Sequence, residues 1–81
     1  MNRKRWERVD EDLWRLKASS DACIVIHMQD GWKACIDFKA VGVFMRFEEI
    51  FDGTRLGLAA AKWKAERVWD AMKEAFGEGG E

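Results

Sequence analysis

Residues 22–38 read ACIVIHMQDGWKACIDF, two apolar arms on either side of Gln29-Asp30-Gly31, and no other stretch restricts the fold as tightly. The arms are rich in Ile, Val, Phe and Trp, and a short polar break containing Asp-Gly between two such runs reads as a β-hairpin. Its register follows from the side chains. A two-residue Asp30-Gly31 turn would pair Gln29 with Trp32 and place Ile24, Ile26 and Met28 on one face with Lys33, Cys35, Asp37 and Lys39, mixing core with charge. A three-residue Gln29-Asp30-Gly31 loop, a type I turn with Gly31 left-handed in a G1 bulge, moves the pairing by one residue. Met28 then faces Trp32, Ile26 faces Ala34, Ile24 faces Ile36 and Ala22 faces Phe38. Cys23, Val25, His27, Lys33, Cys35, Asp37 and Lys39 share the opposite face. A slip of one residue exchanges the two faces, so the binary pattern selects the bulged form. Burying each large apolar side chain contributes roughly 1.5–3 kcal/mol, and the other register forfeits several of these terms.

Upstream, Trp6, Val9, Leu13 and Leu16 recur at helical spacing and predict a helix over residues 3–18, with Trp14 on the flank of its apolar stripe. Arg3, Lys4 and Arg5 oppose the positive end of the helix macrodipole, so the ordered part is expected to begin nearer Trp6. Ser19-Ser20-Asp21 delivers the chain into the hairpin strands, 22–28 and 32–39. Downstream, Val43, Met45 and Phe47 alternate with Phe44, Arg46 and Glu48, which predicts a third strand over 43–50. Phe44, Phe47, Ile50 and Phe51 also fit a short helix, but the Val and Phe content and the period-two start favour the strand. Asp52-Gly53 breaks the chain before a second helix over 55–76. Its apolar stripe holds Leu58, Ala61, Ala65, Val68, Trp69, Met72, Ala75 and Phe76. Trp63 lies about 140° from Leu58, among Glu66, Arg67, Asp70 and Glu74 on the polar side. Gly77 ends the helix and 77–81 is expected to be a disordered tail.

The expected fold is one α+β domain over 1–81, a two-layer α-β-β-β-α arrangement. Both helices pack on one face of a three-stranded antiparallel meander, which leaves the other face free. Composition agrees with a folded globular domain: the 81 residues are 48% hydrophobic and 36% charged. No apolar run approaches the roughly 20 residues needed to cross a bilayer. The start, NRKRWERVDED, offers no apolar segment for a signal peptide, so no membrane association and a cytoplasmic location are expected. A formal net charge of -1 provides no general attraction to nucleic acid or anionic lipid.

Catalytic and metal chemistry find little support in these residues. Cys23, His27, Cys35 and Asp37 are metal-ligand types on one strand face, but residues spread along flat strands do not converge as the close pairs of structural zinc sites do. A disulfide is disfavoured too, because Cys35 faces Val25 and leaves Cys23 a diagonal neighbour about 7–8 Å away. His27, the only histidine, has no assembled nucleophile beside it. Asp10-Glu11-Asp12 and Glu48-Glu49 are adjacent in sequence rather than facing each other across a cleft. Gly53 and Gly57 flank a helix start without the Lys-Ser or Lys-Thr of a phosphate loop. The expectation is no catalytic residue, no metal and no cofactor.

Aromatic usage is more informative. Five Trp, no Tyr and no Pro is an unusual balance, and Trp is costly to leave in water unless it packs or binds. Trp63 and Arg67 on a polar helix face, Trp14 on a flank, and Phe44, Arg46 and Ile50 on the free sheet face together make a candidate partner interface. Stacking of Arg67 on Trp63 is the purely structural alternative for that pair. The leading expectation is a small non-catalytic interaction module that docks on a larger protein or a second copy. By class-level analogy this is an accessory or inhibitory factor of the kind phages direct at host machinery. The alternative is nucleic-acid binding through the sheet face and the basic residues Arg3, Lys4, Arg5 and Arg8. A three-stranded sheet backed by a helix is used by plant-type and integrase-type DNA-binding domains, and the α-β-β-β-α order resembles the double-stranded RNA-binding domain. That resemblance implies a basic cluster at the start of the last helix, where this chain has Thr54-Arg55-Leu56-Gly57.

Overall fold

The computed structural model describes residues 6–17, 22–40 and 42–75. Five strands, β1 (Trp6–Asp10), β2 (Leu13–Leu16), β3 (Ala22–Met28), β4 (Trp32–Ala40) and β5 (Val43–Phe51), precede one helix, α1 (Arg55–Ala75). The strands pair antiparallel in the order β1-β2-β3-β4-β5, and α1 lies across one face, over β3, β4 and β5. The fold class is α+β.

The central hairpin has the register that its binary pattern selects. Met28 pairs with Trp32, Ile26 with Ala34, Ile24 with Ile36 and Ala22 with Phe38. Ile24, Ile26 and Ile36 are 0% exposed beneath the helix. The turn achieves this register differently from a G1 bulge: Asp30 takes the left-handed conformation (φ 62°), and Gly31 sits at φ 130°. A Cβ on Gly31 would overlap the Phe51 carbonyl oxygen, so the close approach of β5 also requires glycine there. The third strand of the hairpin sheet is real, with β5 paired to β4 over its nine residues.

The helix starts where its backbone donors find an acceptor. Thr54 Oγ1 accepts the Gly57 N–H at 3.2 Å and donates to Asp52 Oδ2 at 2.6 Å, while the Leu58 N–H donates to the Thr54 carbonyl at 3.0 Å. This is an N-cap. Ala61 and Ala65, both buried, let the helix axis approach the sheet, and Trp69 then meets Phe38 edge to face at 5.3 Å. Lys73 occupies the last turn, where a cation suits the macrodipole. Ala75 is exposed rather than part of the apolar stripe, and residues 76–81, including the expected tail, lie outside the described residues.

The expected first helix is overturned. Residues 6–16 form the hairpin β1–β2, so among the described residues the sheet has five strands rather than three and carries one helix rather than two. Trp6 pairs with Leu16 and Arg8 with Trp14, with a register shift between Arg8 and Asp10, around a Glu11-Asp12 turn. The run is too short to separate the periods: Trp14 and Leu16 alternate as strand residues on the helix-facing side, while Val9, placed in the helical stripe, is exposed. The acidic Asp10-Glu11-Asp12 run, which suits a turn, and the contacts of Trp6 and Trp14 with α1 decide for the strands. Residues 3–5 and 18–21 lie outside the described residues. With the α-β-β-β-α order gone, the resemblance to the double-stranded RNA-binding domain lapses.

Candidate functional site

Two surfaces carry the residues singled out from the sequence, and they lie on opposite sides of the molecule. The first is the sheet face away from α1. Pairing places Leu13 and Arg15 of β2 beside His27 and Val25 of β3, and Lys39, Asp37, Cys35 and Lys33 of β4 beside Phe44, Arg46, Glu48 and Ile50 of β5. Phe44 and Ile50 are exposed by 59% and 52%. Between them Arg46 bridges two carboxylates, with Nε 3.3 Å from Asp37 Oδ1 and an Nη 3.0 Å from Glu48 Oε2. Asp37 Oδ1 has no aligned hydrogen-bond donor, so its contact with Arg46 is an ion pair and no more. Lys33 adds a contact of 3.6 Å to the other Glu48 oxygen.

At the other end of this face Arg15 donates to Glu7 Oε1 at 2.9 Å. That hydrogen bond, followed by the charge of Arg15, holds the Glu7 carboxyl below the usual carboxylate range. Arg15, Lys33 and Arg46 are thus matched with carboxylates, and such exposed pairs order the surface more than they stabilise the fold.

Cys35 departs from the expected division of faces. It lies on the open side, yet it is only 6% exposed, because β4 is flanked by β3 and β5 and the charged side chains around it close over it. Burial pushes its thiol up, with Glu48 adding to the effect and Lys33 opposing it. Cys23 is exposed, and both cysteines are free. Among the described residues no group of three or more His, Cys, Asp and Glu side chains is placed to hold a metal. Met28 departs the other way: it is on the helix-facing side but exposed at the sheet corner.

The second surface is the outer side of α1. Trp63 is 60% exposed, and the Arg67 guanidinium stacks over it at 5.3 Å from the ring centroid. Trp14 does not join it. Instead of flanking a helix it sits half-buried on β2, with Lys62 Nζ 3.6 Å from its ring centroid and the Arg8 guanidinium carbon at 5.9 Å. Burial there pulls the Lys62 ammonium below its ordinary value, and Glu66 opposes this. The interface set of Trp63, Arg67, Trp14, Phe44, Arg46 and Ile50 therefore divides, with Phe44, Arg46 and Ile50 on the sheet, Trp63 and Arg67 on the helix, and Trp14 inside the packing between layers. Of the basic set, Arg3, Lys4 and Arg5 lie outside the described residues, and Arg8 is held beside Trp14.

Among the described residues, no helix is long and apolar enough to cross a membrane. In comparison with known proteins, no family model, curated protein or solved structure matches the chain significantly.

Proposed function

We propose that this chain is a small non-catalytic protein-interaction module, working as an accessory or inhibitory factor that docks a preformed surface on a protein partner. The observation that supports this reading is the exposure of Phe44 and Ile50 on the outermost strand, on either side of the Arg46–Glu48 pair. Two large apolar side chains around an ordered charge pair have the composition of an interface centre, where aromatic and Arg residues are enriched. Trp63 with Arg67 is a second candidate contact on the helix. Neither surface requires rearrangement to present these groups, which keeps the ordering cost of binding low.

Capture with the tagged chain tests the proposal. Wild type is compared with Phe44→Ser/Ile50→Ser and with Trp63→Ala/Arg67→Ala, each checked for folding by circular dichroism. A partner, or a second copy, held by wild type and lost by one folded double variant is the expected result. Retention of every partner by both folded variants overturns the reading. Nucleic-acid binding is the weaker reading, because Arg15, Lys33 and Arg46 of the sheet face are engaged with Glu7, Glu48 and Asp37. Salt-dependent retention on heparin or generic duplex would revive it.

A further inference from the structure

β5 ends the sheet, and among the described residues no strand lies beyond it. Its backbone polarity can be read from one hydrogen bond at the far side of the hairpin. The Met28 N–H donates to the Asp12 carbonyl at 3.0 Å, so the backbone groups of Met28 point toward β2 and those of His27 toward β4. Hydrogen-bonded and non-bonded pairs alternate along antiparallel strands. His27 pairs with Lys33, and the β3–β4 and β4–β5 registers run without a shift. Carried across them, the alternation makes Trp32, Ala34, Ile36 and Phe38 bond to β5. The N–H and C=O groups of Phe44, Arg46, Glu48 and Ile50 consequently point outward, off the edge of the sheet.

We propose that two copies of this chain pair through the free edge of β5, antiparallel about a two-fold axis at Phe47, joining two five-stranded sheets into one of ten. This deepens the interaction reading and rests on it. The sequence of β5, VFMRFEEIF, is complementary to its own reverse in this register. Phe44 meets Ile50 of the second copy, and Arg46 meets Glu48. By symmetry the same pairs recur on the other side of the axis. These four residues are also the ones whose backbone groups face outward, so each of these pairs exchanges both of its ladder hydrogen bonds.

Competing registers fail for stated reasons. A shift that sets an even residue against an odd one puts an outward-facing group opposite an inward-facing one, and the ladder cannot form. The neighbouring registers that keep the parity set Arg46 against its own copy or Glu48 against its own copy, and like charges directly opposite each other repel. The Phe47-centred register also uses all nine residues of the strand. Directly paired side chains share a face, so the axis is perpendicular to the sheet and both copies of α1 lie on the same side.

The other edge does not compete. β1 has five residues, bears Glu7, Arg8 and Asp10, and is interrupted by the register shift between Arg8 and Asp10. Short, charged and bulged edges are those that resist pairing, so the assembly closes at two copies.

Light scattering coupled to size exclusion tests this over a dilution series from about 1 µM to about 1 mM. Wild type is expected to reach twice the 9.4 kDa chain mass at the upper end. R46E presents two acids and E48R two bases in the central pairs, so each alone is expected at monomer mass. An equimolar mixture is expected to regain dimer mass, because the two edges are then complementary to each other. Glu48→Pro removes an outward N–H, a change that an edge strand tolerates, and is expected to remain folded by circular dichroism while staying monomeric. If either charge variant fails to fold, Glu48→Pro decides. A wild type that stays monomeric throughout, a folded Glu48→Pro that still dimerises, or folded charge variants whose mixture stays monomeric overturns the proposal. A monomeric wild type that still loses a captured partner with Phe44→Ser/Ile50→Ser removes the dimer and leaves the interaction module standing.

Discussion

The indole N–H of Trp6 donates to Glu66 Oε2 at 2.7 Å, joining the first strand to the helix across 60 positions of sequence. With Lys62 over Trp14, this contact ties the β1–β2 hairpin to α1, which otherwise packs on β3, β4 and β5. Trp6→Phe keeps most of the apolar contact and removes the donor, and is expected to cost about 1 kcal/mol in a urea titration. Glu66→Gln keeps an acceptor and is expected to cost less. Equal stability of Trp6→Phe and wild type would show that the hydrogen bond does not hold the hairpin.

The two faces of the sheet should respond unequally to the same truncation. Ile36 is fully buried under the helix, whereas Ile50 is half exposed on the outer strand. Ile36→Ala is expected to lose about 2–5 kcal/mol. Ile50→Ala, compared at a concentration where the chain is monomeric, should stay within about 0.5 kcal/mol of wild type. The denaturation midpoints of the two variants measure the contrast, and similar losses at both sites would contradict the assignment of faces.

At Gly57 propensity and packing predict opposite signs. Alanine in a helix is favoured over glycine by about 0.8–1.0 kcal/mol. Here, however, a Cβ would overlap the carbonyl oxygen of Asp52, which the N-cap contacts of Thr54 hold against the first turn. A backbone atom cannot give way as a flexible side chain can. Gly57→Ala is expected to lower the melting temperature, with a net loss of about 1–3 kcal/mol. A rise would mean that the helix start does not rest on Asp52.

The two thiols should differ in reactivity. Cys23 is exposed, and Cys35 is buried with its thiol pushed up by that burial. Labelling of the native protein with a thiol reagent near pH 8 should show one fast and one slow site, the fast one disappearing in Cys23→Ser and the two becoming equal in denaturant. Because the folded value lies above the unfolded one, the contribution of Cys35 to stability is intact below the ordinary thiol value, about 8.5, and declines as pH rises through the folded value. Two equally fast native sites would show that the Lys33, Asp37, Arg46 and Glu48 side chains do not cover Cys35.

Glu7 supplies a second pH test with the opposite sign. Its carboxyl is held low by the hydrogen bond and charge of Arg15. The contribution of the pair is therefore present above the ordinary carboxylate value, about 4.3, and is lost as pH falls through the lower folded value. A carboxyl NMR titration should place Glu7 below the ordinary glutamate value, and Arg15→Ala should return it upward. No movement in Arg15→Ala would assign the depression to another group.

The central hairpin, the third strand and the last helix were legible in the sequence because each depends on a pattern local to it. Ile24, Ile26, Met28 and Trp32 alternate through a turn that only one register satisfies, and the stripe of α1 recurs over 21 residues. Even the outer positions of Phe44, Arg46, Ile50 and Trp63 follow from those periods. The burial of Cys35 does not follow from them, because alternation assigns a face and says nothing of which strand is central or which long charged side chains close over it.

The first sixteen residues mark where local pattern stopped. Trp6, Val9, Leu13 and Leu16 fit a helical stripe, and nothing within the segment weighs against it strongly enough, since four- and five-residue strands hold too few side chains to define a period. Strand pairing with β3, the hydrogen bond from Trp6 to Glu66 and the stacking of Lys62 on Trp14 are long-range interactions, and they settled the choice. The sequence alone determined the register of the central hairpin and which sides of β5 and of the helix face outward. Only the tertiary structure decided that the sheet has five strands, because that depends on contacts made with residues distant in the chain.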